Sequence, residues 1–289
     1  MHSGSNPRWL LAVAEWYVVE KHLSAWSEYL HEAKCLVHTY GDRHQPPLFR
    51  GLARSDWGLE TTLDRSYPDA QSFLEYYRRV SACKGAVEML TGRRWENVPD
   101  YGELRAAAEN DLDQLTTILT GQQEILEFLL YLRHHGFPSP LLDWTASPYV
   151  AAFFAFEPDE SGKGDRAGVF AFVQGSSGGI FESGSQLRLV GRHGRSHARH
   201  VYQQCSYTMC FEKQPSDYLI RRHDNEVMTG AANPDGTILK LTIPASERLV
   251  ALKELELMNV NAFSLYGSED SLIRTLGIRE FLLGRSESG

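Results

Sequence analysis

Three stretches of the chain carry residue types and spacings that could do chemistry. The first is Leu48-Phe49-Arg50-Gly51. An arginine between Phe49 and Gly51 at a strand end can aim a rigid five-donor fork into a cleft, where phosphate or carboxylate is its natural partner. Gly51 removes a side chain, so a ligand could approach the backbone there. An equally open reading pairs Arg50 with a buried Asp or Glu. The second stretch runs from Arg133 to Pro148 and contains His134, Asp143, Trp144, Thr145 and Ser147. Asp143 and Trp144 lie between an apolar strand and an apolar helix, and a charge so placed needs a partner. Thr145 or Ser147 suits the cap of that helix, whose first N–H groups would also face an anion. The structural alternative is that Asp143 ties down a turn and Trp144 fills the core. The third stretch, Arg188 to His200, holds Arg188, Arg192, Arg195, Arg199 and three histidines. It reads either as a phosphate or nucleic-acid patch or as a solvated loop. Arg199 and Gln203 stand apart because they lead into an apolar-rich strand. A fourth segment, Ser264 to Leu272, carries an acidic pair ending at Asp270, and carboxylates at a helix start favour its dipole.

Several chemistries are excluded. The sequence has no G-x-x-x-x-G-K-S/T loop, no G-x-G-x-x-G, no H-E-x-x-H and no G-x-S-x-G. That removes P-loop hydrolases, Rossmann dehydrogenases, zincins and α/β-hydrolases. His134 and His135 are adjacent, so on a helix they diverge by about 100° and chelate poorly. The four cysteines form no C-x-x-C pair, so no metal is expected. The formal net charge is −8, so nucleic acid would need a local basic patch. Few cysteines suggest a reducing, cytoplasmic setting. Trp9 to Val19 is too short and too interrupted by charge to span a bilayer.

The elements that must position these residues follow from periodicity. The 289 residues, 42% hydrophobic, can bury a full core. With no linker or repeat in the middle, the reading is one domain over 15–284 between a flexible N-terminus at 1–14 and a flexible tail at 285–289. A strand is expected near Glu15 to Glu20, and a helix start at Ser24. Residues 69–92 have helical spacing with a break near Gly85, and 101–118 hold one or two more helices. Gln122 to His134 is the clearest helix, ended by Gly136. Leu141 to Thr145 reads as a strand end and Pro148 to Phe156 as a helix. Gly168 to Val173, Val201 to Phe211, Gly236 to Ile243 and Leu249 to Leu252 are strand candidates. Helices first and strands later argue for an α+β fold with a helical N-terminal half.

Taken together, these segments resemble the FRG domain, a family named for its Phe-Arg-Gly signature. Phe49-Arg50-Gly51 corresponds to that signature, followed as in the family by Trp57, Leu63 and Arg65. His134 to Thr145 resembles the family's stretch ending Leu-Leu-Asp-Trp-Thr, continued by Ser147-Pro148, Ala151 and Phe154. Arg199, Gln203-Gln204 and Thr208 resemble its Arg-x-x-x-Gln-Gln strand. Weaker likenesses follow at Leu241 to Pro244, Arg248 and Ser264 to Leu272. Departures are His135 for an aromatic, Pro140 for Arg, Cys205 for Gly and Gly267 for Pro. The likeness spans roughly Trp16 to Leu276.

The FRG domain in turn is similar to the ADP-ribosyltransferase fold, which implies split mixed and antiparallel β-sheets and NAD as substrate. On that resemblance Arg50 orients NAD. Thr145, Ala146 and Ser147, followed by Ala152-Phe153-Phe154-Ala155, match a second motif. Gln203 or Gln204 stands where a catalytic Glu is expected, and Asp270 is another acidic candidate. The implied catalytic set is Arg50, Thr145, Gln203 and Asp270. Phe49, Arg50, Gly51, Trp57, His134, Asp143, Trp144, Thr145, Ser147 and Arg199 would contact NAD, with Trp57 or Trp144 stacked on a ring. The resemblance also implies a toxin or antiviral defence effector acting on a protein or nucleic-acid acceptor, with an antitoxin or chaperone partner. The alternative is a non-catalytic nucleotide- or RNA-binding module of the same fold.

Overall fold

The computed structural model describes residues 19–41, 46–67, 71–110, 123–158, 164–174, 187–190, 199–223 and 236–284. The termini at 1–14 and 285–289, most of the strand expected near Glu15, and Arg192 and Arg195 lie outside them. The start of β1 (Val19–His22) falls at the end of that expected strand. Helix α1 (Trp26–Tyr40) follows. Its start is held by Glu28, which accepts from the Ser24 N–H at 2.7 Å and hydroxyl at 3.2 Å, so the expected start at Ser24 is tied to the first turn. Trp26, Tyr29, Ala33 and Leu36 form its buried stripe, three to four residues apart as an amphipathic helix requires.

The remaining helices of the N-terminal half are α2 (Thr62–Ser66), α3 (Phe73–Thr91), α4 (Tyr101–Asn110) and α5 (Gln123–His134). The break expected at Gly85 does not occur. A side chain there would meet only open space, and one exposed glycine costs about 1 kcal/mol. The buried Phe73, Tyr76, Tyr77 and Val80 hold α3 against that cost, and it ends at Gly92 (φ 69°). Helix α5 ends as expected at Gly136 (φ 87°).

Interleaved with these helices are β2 (Leu48–Leu52) and β3 (Gln71–Ser72); β4 (Leu142–Thr145) follows α5. Helix α6 (Pro148–Phe156) comes next, then β5 (Arg166–Gln174) and β6 (Leu187–Val190). The single turn α7 (Arg199–Tyr202) precedes β7 (Cys205–Lys213), β8 (Tyr218–Ile220) and β9 (Gly236–Pro244). Helices α8 (Arg248–Leu257), α9 (Ala262–Tyr266) and α10 (Glu269–Ile278) close the described chain, the last continued by a π turn. Two sequence expectations are corrected. The strand expected from Val201 begins at Cys205, because Arg199–Tyr202 is helical. Leu249 to Leu252 lies in α8, where Ala251, Leu252 and Leu255 are buried; a four-residue apolar run suits either element until its neighbours decide.

The protein is a mixed α+β fold with a large mixed sheet. The nine described strands run in the order β1-β9-β5-β2-β4-β7-β8-β3, with β6 also on β7. β1 is parallel to β9, and the other described pairs are antiparallel. The sheet has a seam. Where β2 meets β5 over Leu48 to Leu52, and β4 meets β7 over Leu142 to Thr145, β2 and β4 share one paired position, Phe49↔Thr145. Helices α1, α6 and α8 bury a core against the β2 side of that seam. Helices α3, α4 and α5 bury another against β7 and β8. Alternate strand positions, including Leu48, Leu142, Trp144 and Phe172, form a third cluster, as the period-two alternation of strands dictates. Among the described residues no helix is long and apolar enough to cross a membrane.

Candidate functional site

A cavity of about 360 Å³ opens at the seam. Arg50 enters it from β2. The signature residues around Arg50 do separate jobs. Phe49 is fully buried in the core beneath α6. Gly51 is required by that helix: a Cβ added there would lie 1.8 Å from the Ala151 carbonyl oxygen and 2.8 Å from the Ala155 nitrogen. The close approach expected at Gly51 is therefore that of a helix backbone, although the glycine also lines the cavity.

Asp143 sits between two guanidiniums. Arg50 Nη1 donates to the Asp143 carbonyl oxygen at 2.9 Å and lies 3.3 Å from its Oδ1. Arg133 Nη2 makes an ion pair with the same Oδ1, and Arg133 Nη1 donates to Thr62 Oγ1 at 3.4 Å. Arg133 comes from the last turn of α5, and the turn at Gly136 brings that helix end back to β4. Thr62 is held in turn by the Ser139 N–H at 2.9 Å. The Asp143 side chain is 45% exposed, and its partial burial alone would favour the neutral carboxyl. The charges of Arg133 and then Arg50 outweigh this and hold it well below the usual carboxylate range. Burial depresses the pKa of Arg50, and Asp143 partly restores it; a guanidinium remains a cation at any working pH. Of the two readings of Arg50, the pairing with a carboxylate is observed, and the residue also lines the cavity.

The lining also includes Arg199, Tyr266, Phe154 and Gln203. Arg199 Cζ lies 5.1 Å from the Tyr266 ring centroid, within cation–π range. Tyr266 meets Phe154 edge-on at 6.2 Å. Gln203 is not on the strand; it occupies the turn between α7 and β7. Its Nε2 donates to the Leu265 carbonyl at 3.0 Å, which ties this turn to α9. Gln204, in the left-handed conformation (φ 49°), accepts from the Ala146 N–H at 3.1 Å. Thr145 lines the cavity, and its Oγ1 accepts from the Ser147 N–H at 3.0 Å. Ser147 caps α6 as expected, accepting from the Val150 N–H at 3.3 Å, and is not among the lining residues.

Two of the expected residues, Trp57 and Asp270, lie outside the lining, and Trp144 meets it only at its border. The Trp144 indole borders the cavity but is 2% exposed and donates to Thr208 Oγ1 at 2.8 Å, so its faces belong to the core. Trp57 is half-exposed outside the lining, beside Arg54. Asp270 is exposed in the first turn of α10, also outside the lining; the helix dipole explains it. Sequence reading missed Arg133, Thr62, Tyr207 and Tyr266. Arg133 and Tyr266 fall inside stretches it singled out, but no local pattern names their partners across the seam. Arg188 lies on β6.

His223, Cys205 and Tyr207 are held in their neutral forms at neutral pH. His223 is buried, with its Nε2 3.0 Å from Thr208 Oγ1. Burial and the charge of Arg50 push its pKa down to about 3. Burial and the nearby Asp143 charge push the Cys205 thiol up to about 12, so it is not a thiolate nucleophile at neutral pH. Burial likewise pushes the Tyr207 phenol far up. Its hydroxyl lies 3.4 Å from Nε2 of both His134 and His200.

Comparison with known families gives one match: the FRG domain model fits residues 45–164, less than half of the chain. That segment holds the cavity residues from Phe49 to Phe154 but not Arg199, Gln203, Tyr207 or Tyr266. No curated protein and no solved structure matches the chain.

Proposed function

We propose that the cavity binds NAD and transfers its ADP-ribosyl group to an acceptor. One observation carries this reading: among the described lining residues, Arg50, Arg133 and Arg199, offset by the carboxylate of Asp143, share a cavity with the Tyr266 and Phe154 rings. Cationic forks suit a pyrophosphate and aromatic rings suit a flat heterocycle. The match of the FRG domain model to the Arg50, Asp143 and Thr145 segments supports it. Arg50 and Arg133 hold phosphate oxygens, and Gln203 Oε1 accepts from a ribose hydroxyl. Breaking the nicotinamide–ribose bond builds positive charge on the ribosyl ring. Asp143, kept ionised by its two arginines, would stabilise that charge; Asp270 is not among the residues that line the cavity. By its FRG resemblance the protein would act as a toxin or antiviral defence effector restrained by an antitoxin or chaperone.

The second reading, a non-catalytic nucleotide- or RNA-binding module, is favoured by a different observation. No glutamate is among the described lining residues, and the Gln203 amide nitrogen is committed to Leu265. Incubation with adenylate-labelled NAD, with and without lysate or RNA, separates the two. Label transfer and nicotinamide release abolished by Arg50→Ala support the transferase. Saturable binding without nicotinamide release supports the module, and no binding of either ligand sinks both.

A further inference from the structure

Helix α2 brings one more cation to the mouth of the cavity. Thr62, its first residue, lines the cavity and accepts from Arg133 Nη1 at 3.4 Å and from the Ser139 N–H at 2.9 Å. Arg65 stands three residues on, so the two side chains share a face of the helix, about 4.5 Å apart along its axis. The capping box of Thr61 and Asp64 fixes this turn, and Leu63 and Asp64 bury its other side. Arg65 itself is exposed, and among the described residues it makes no ion pair or side-chain hydrogen bond. Its charge nevertheless reaches inward. After burial, the charges that push the Arg50 pKa down are those of Arg133 and then Arg65, against the opposing pull of Asp143. Arg50 and Arg133 share the Asp143 carboxylate; Arg65 has no carboxylate of its own among the described residues.

A cavity of about 360 Å³ lies near the small end of the roughly 300–1,000 Å³ that ligand sites span, room for one of the two nucleotides of NAD. The ribosyl carbon that reacts must come within reach of Asp143, which lines the cavity, so the nicotinamide nucleotide is the half inside. Resting on the transferase reading, we infer that Arg65 binds the second phosphate of the dinucleotide and so makes the site select dinucleotides over mononucleotides. The inner phosphate lies at Arg50 and Arg133, the adenosine phosphate lies at Arg65 beyond Thr62, and the adenosine leaves the mouth along α2. A guanidinium suits that place because it offers phosphate oxygens a planar fork and stays charged at any working pH. At an exposed mouth the contact is screened by salt, so it adds affinity and direction and takes no part in the chemistry.

Titration calorimetry of wild type and Arg65→Ala with NAD, nicotinamide mononucleotide and AMP tests this. Nicotinamide mononucleotide lacks the second phosphate, so it reports on everything except the Arg65 contact. Arg65→Ala should weaken NAD binding about tenfold, the low end for a charge-assisted hydrogen bond at a screened site, and leave the mononucleotide within about twofold of wild type. Arg65→Lys, which keeps the charge, should recover part of the loss. Equal losses for both ligands, with or without a lower urea midpoint, would show a structural role and overturn the assignment. Unchanged NAD affinity overturns it as well. So does a wild type that takes AMP in preference to nicotinamide mononucleotide, since the dinucleotide would then enter the other way round. Nicotinamide release by wild type reports separately on the transferase reading: its absence sinks that reading, while the ratio of NAD to mononucleotide affinity still decides the role of Arg65. Wild type that binds neither ligand overturns both.

Discussion

Gly51→Ala tests whether the signature motif is shaped by packing or by ligand approach. The new Cβ would stand 1.8 Å from the Ala151 oxygen, and 2.8 Å from the Ala151 carbon and the Ala155 nitrogen. These are backbone atoms, so no side-chain rotation relieves the overlap. Restoring ordinary contact requires α6 to retreat from β2 by about 1.5 Å, given carbon contacts of roughly 3.5 Å. The helix cannot do this freely, because Val150, Ala151, Ala152, Phe153, Ala155 and Phe156 all lie in the core. Its nine residues extend about 13 Å along a face roughly 8 Å wide, so such a retreat opens on the order of 150 Å³. At about 24 cal/mol per Å³ of residual void, the loss is about 3–4 kcal/mol. If the helix stays in place, the cost appears as overlap of comparable size. Against a total stability of about 5–15 kcal/mol, the variant should remain folded but unfold at much lower urea concentration. Urea unfolding followed by tryptophan fluorescence measures this directly. A midpoint within the error of wild type, together with weakened nucleotide binding, would refute the packing argument and restore the role of Gly51 as a ligand approach.

Further measurements test the rest of the site. Asp143 has a folded pKa below its unfolded one, so its stabilising contribution is complete above about pH 4 and is lost as pH falls through the folded value. Asp143→Asn should therefore flatten the decline of the urea midpoint between about pH 4 and pH 2; an unchanged slope would contradict the pairing with Arg50 and Arg133. His223, pushed down to about 3, should keep a neutral ring at pH 5 in an NMR titration, and a transition near pH 6.5 would count against its burial beneath Arg50. Arg199→Ala and Tyr266→Ala should each weaken NAD binding about tenfold, as loss of a desolvated cation–π wall implies. Trp57→Ala, outside the lining, should leave that affinity unchanged; isothermal titration separates the outcomes.

The long periodic elements were legible from sequence because one rule governs each of them. Helix α5 carries apolar residues over most of its surface, and Gly136 ends it in a conformation that other residues adopt only at a cost. Helix α6 follows Ser147-Pro148, a cap and a first-turn proline. Short runs were less legible. Leu249 to Leu252 has no periodicity of its own, and its helical state is set by Ala251, Leu252 and Leu255 packing into the core. Gln203 looked like a strand residue because the apolar run of β7 lies just beyond it. The left-handed turn at Gln204 that stops the strand at Cys205 leaves no composition signal.

The site was legible in part for the same reason. Arg50, Asp143 and Thr145 stand in dense local patterns, and the fold does bring them to one cavity. Arg133 and Asp143 are only ten positions apart, but their ion pair exists because the Gly136 turn folds α5 back onto β4. Tyr207 and Tyr266 come from segments far along the chain whose local sequences serve a strand and a short helix. What joins these pieces is the seam, where β2 and β4 share a single paired position. There Phe49 anchors the core, Gly51 admits α6 and Arg50 reaches Asp143. Three adjacent residues are thus held by three different partners, which makes their order hard to change. A Phe-Arg-Gly signature would follow from that geometry even before any ligand is considered. The motif alone therefore argues for the fold, and chemistry has to be argued from Arg133 and Asp143 and from the Arg199–Tyr266 pair that lines the same cavity.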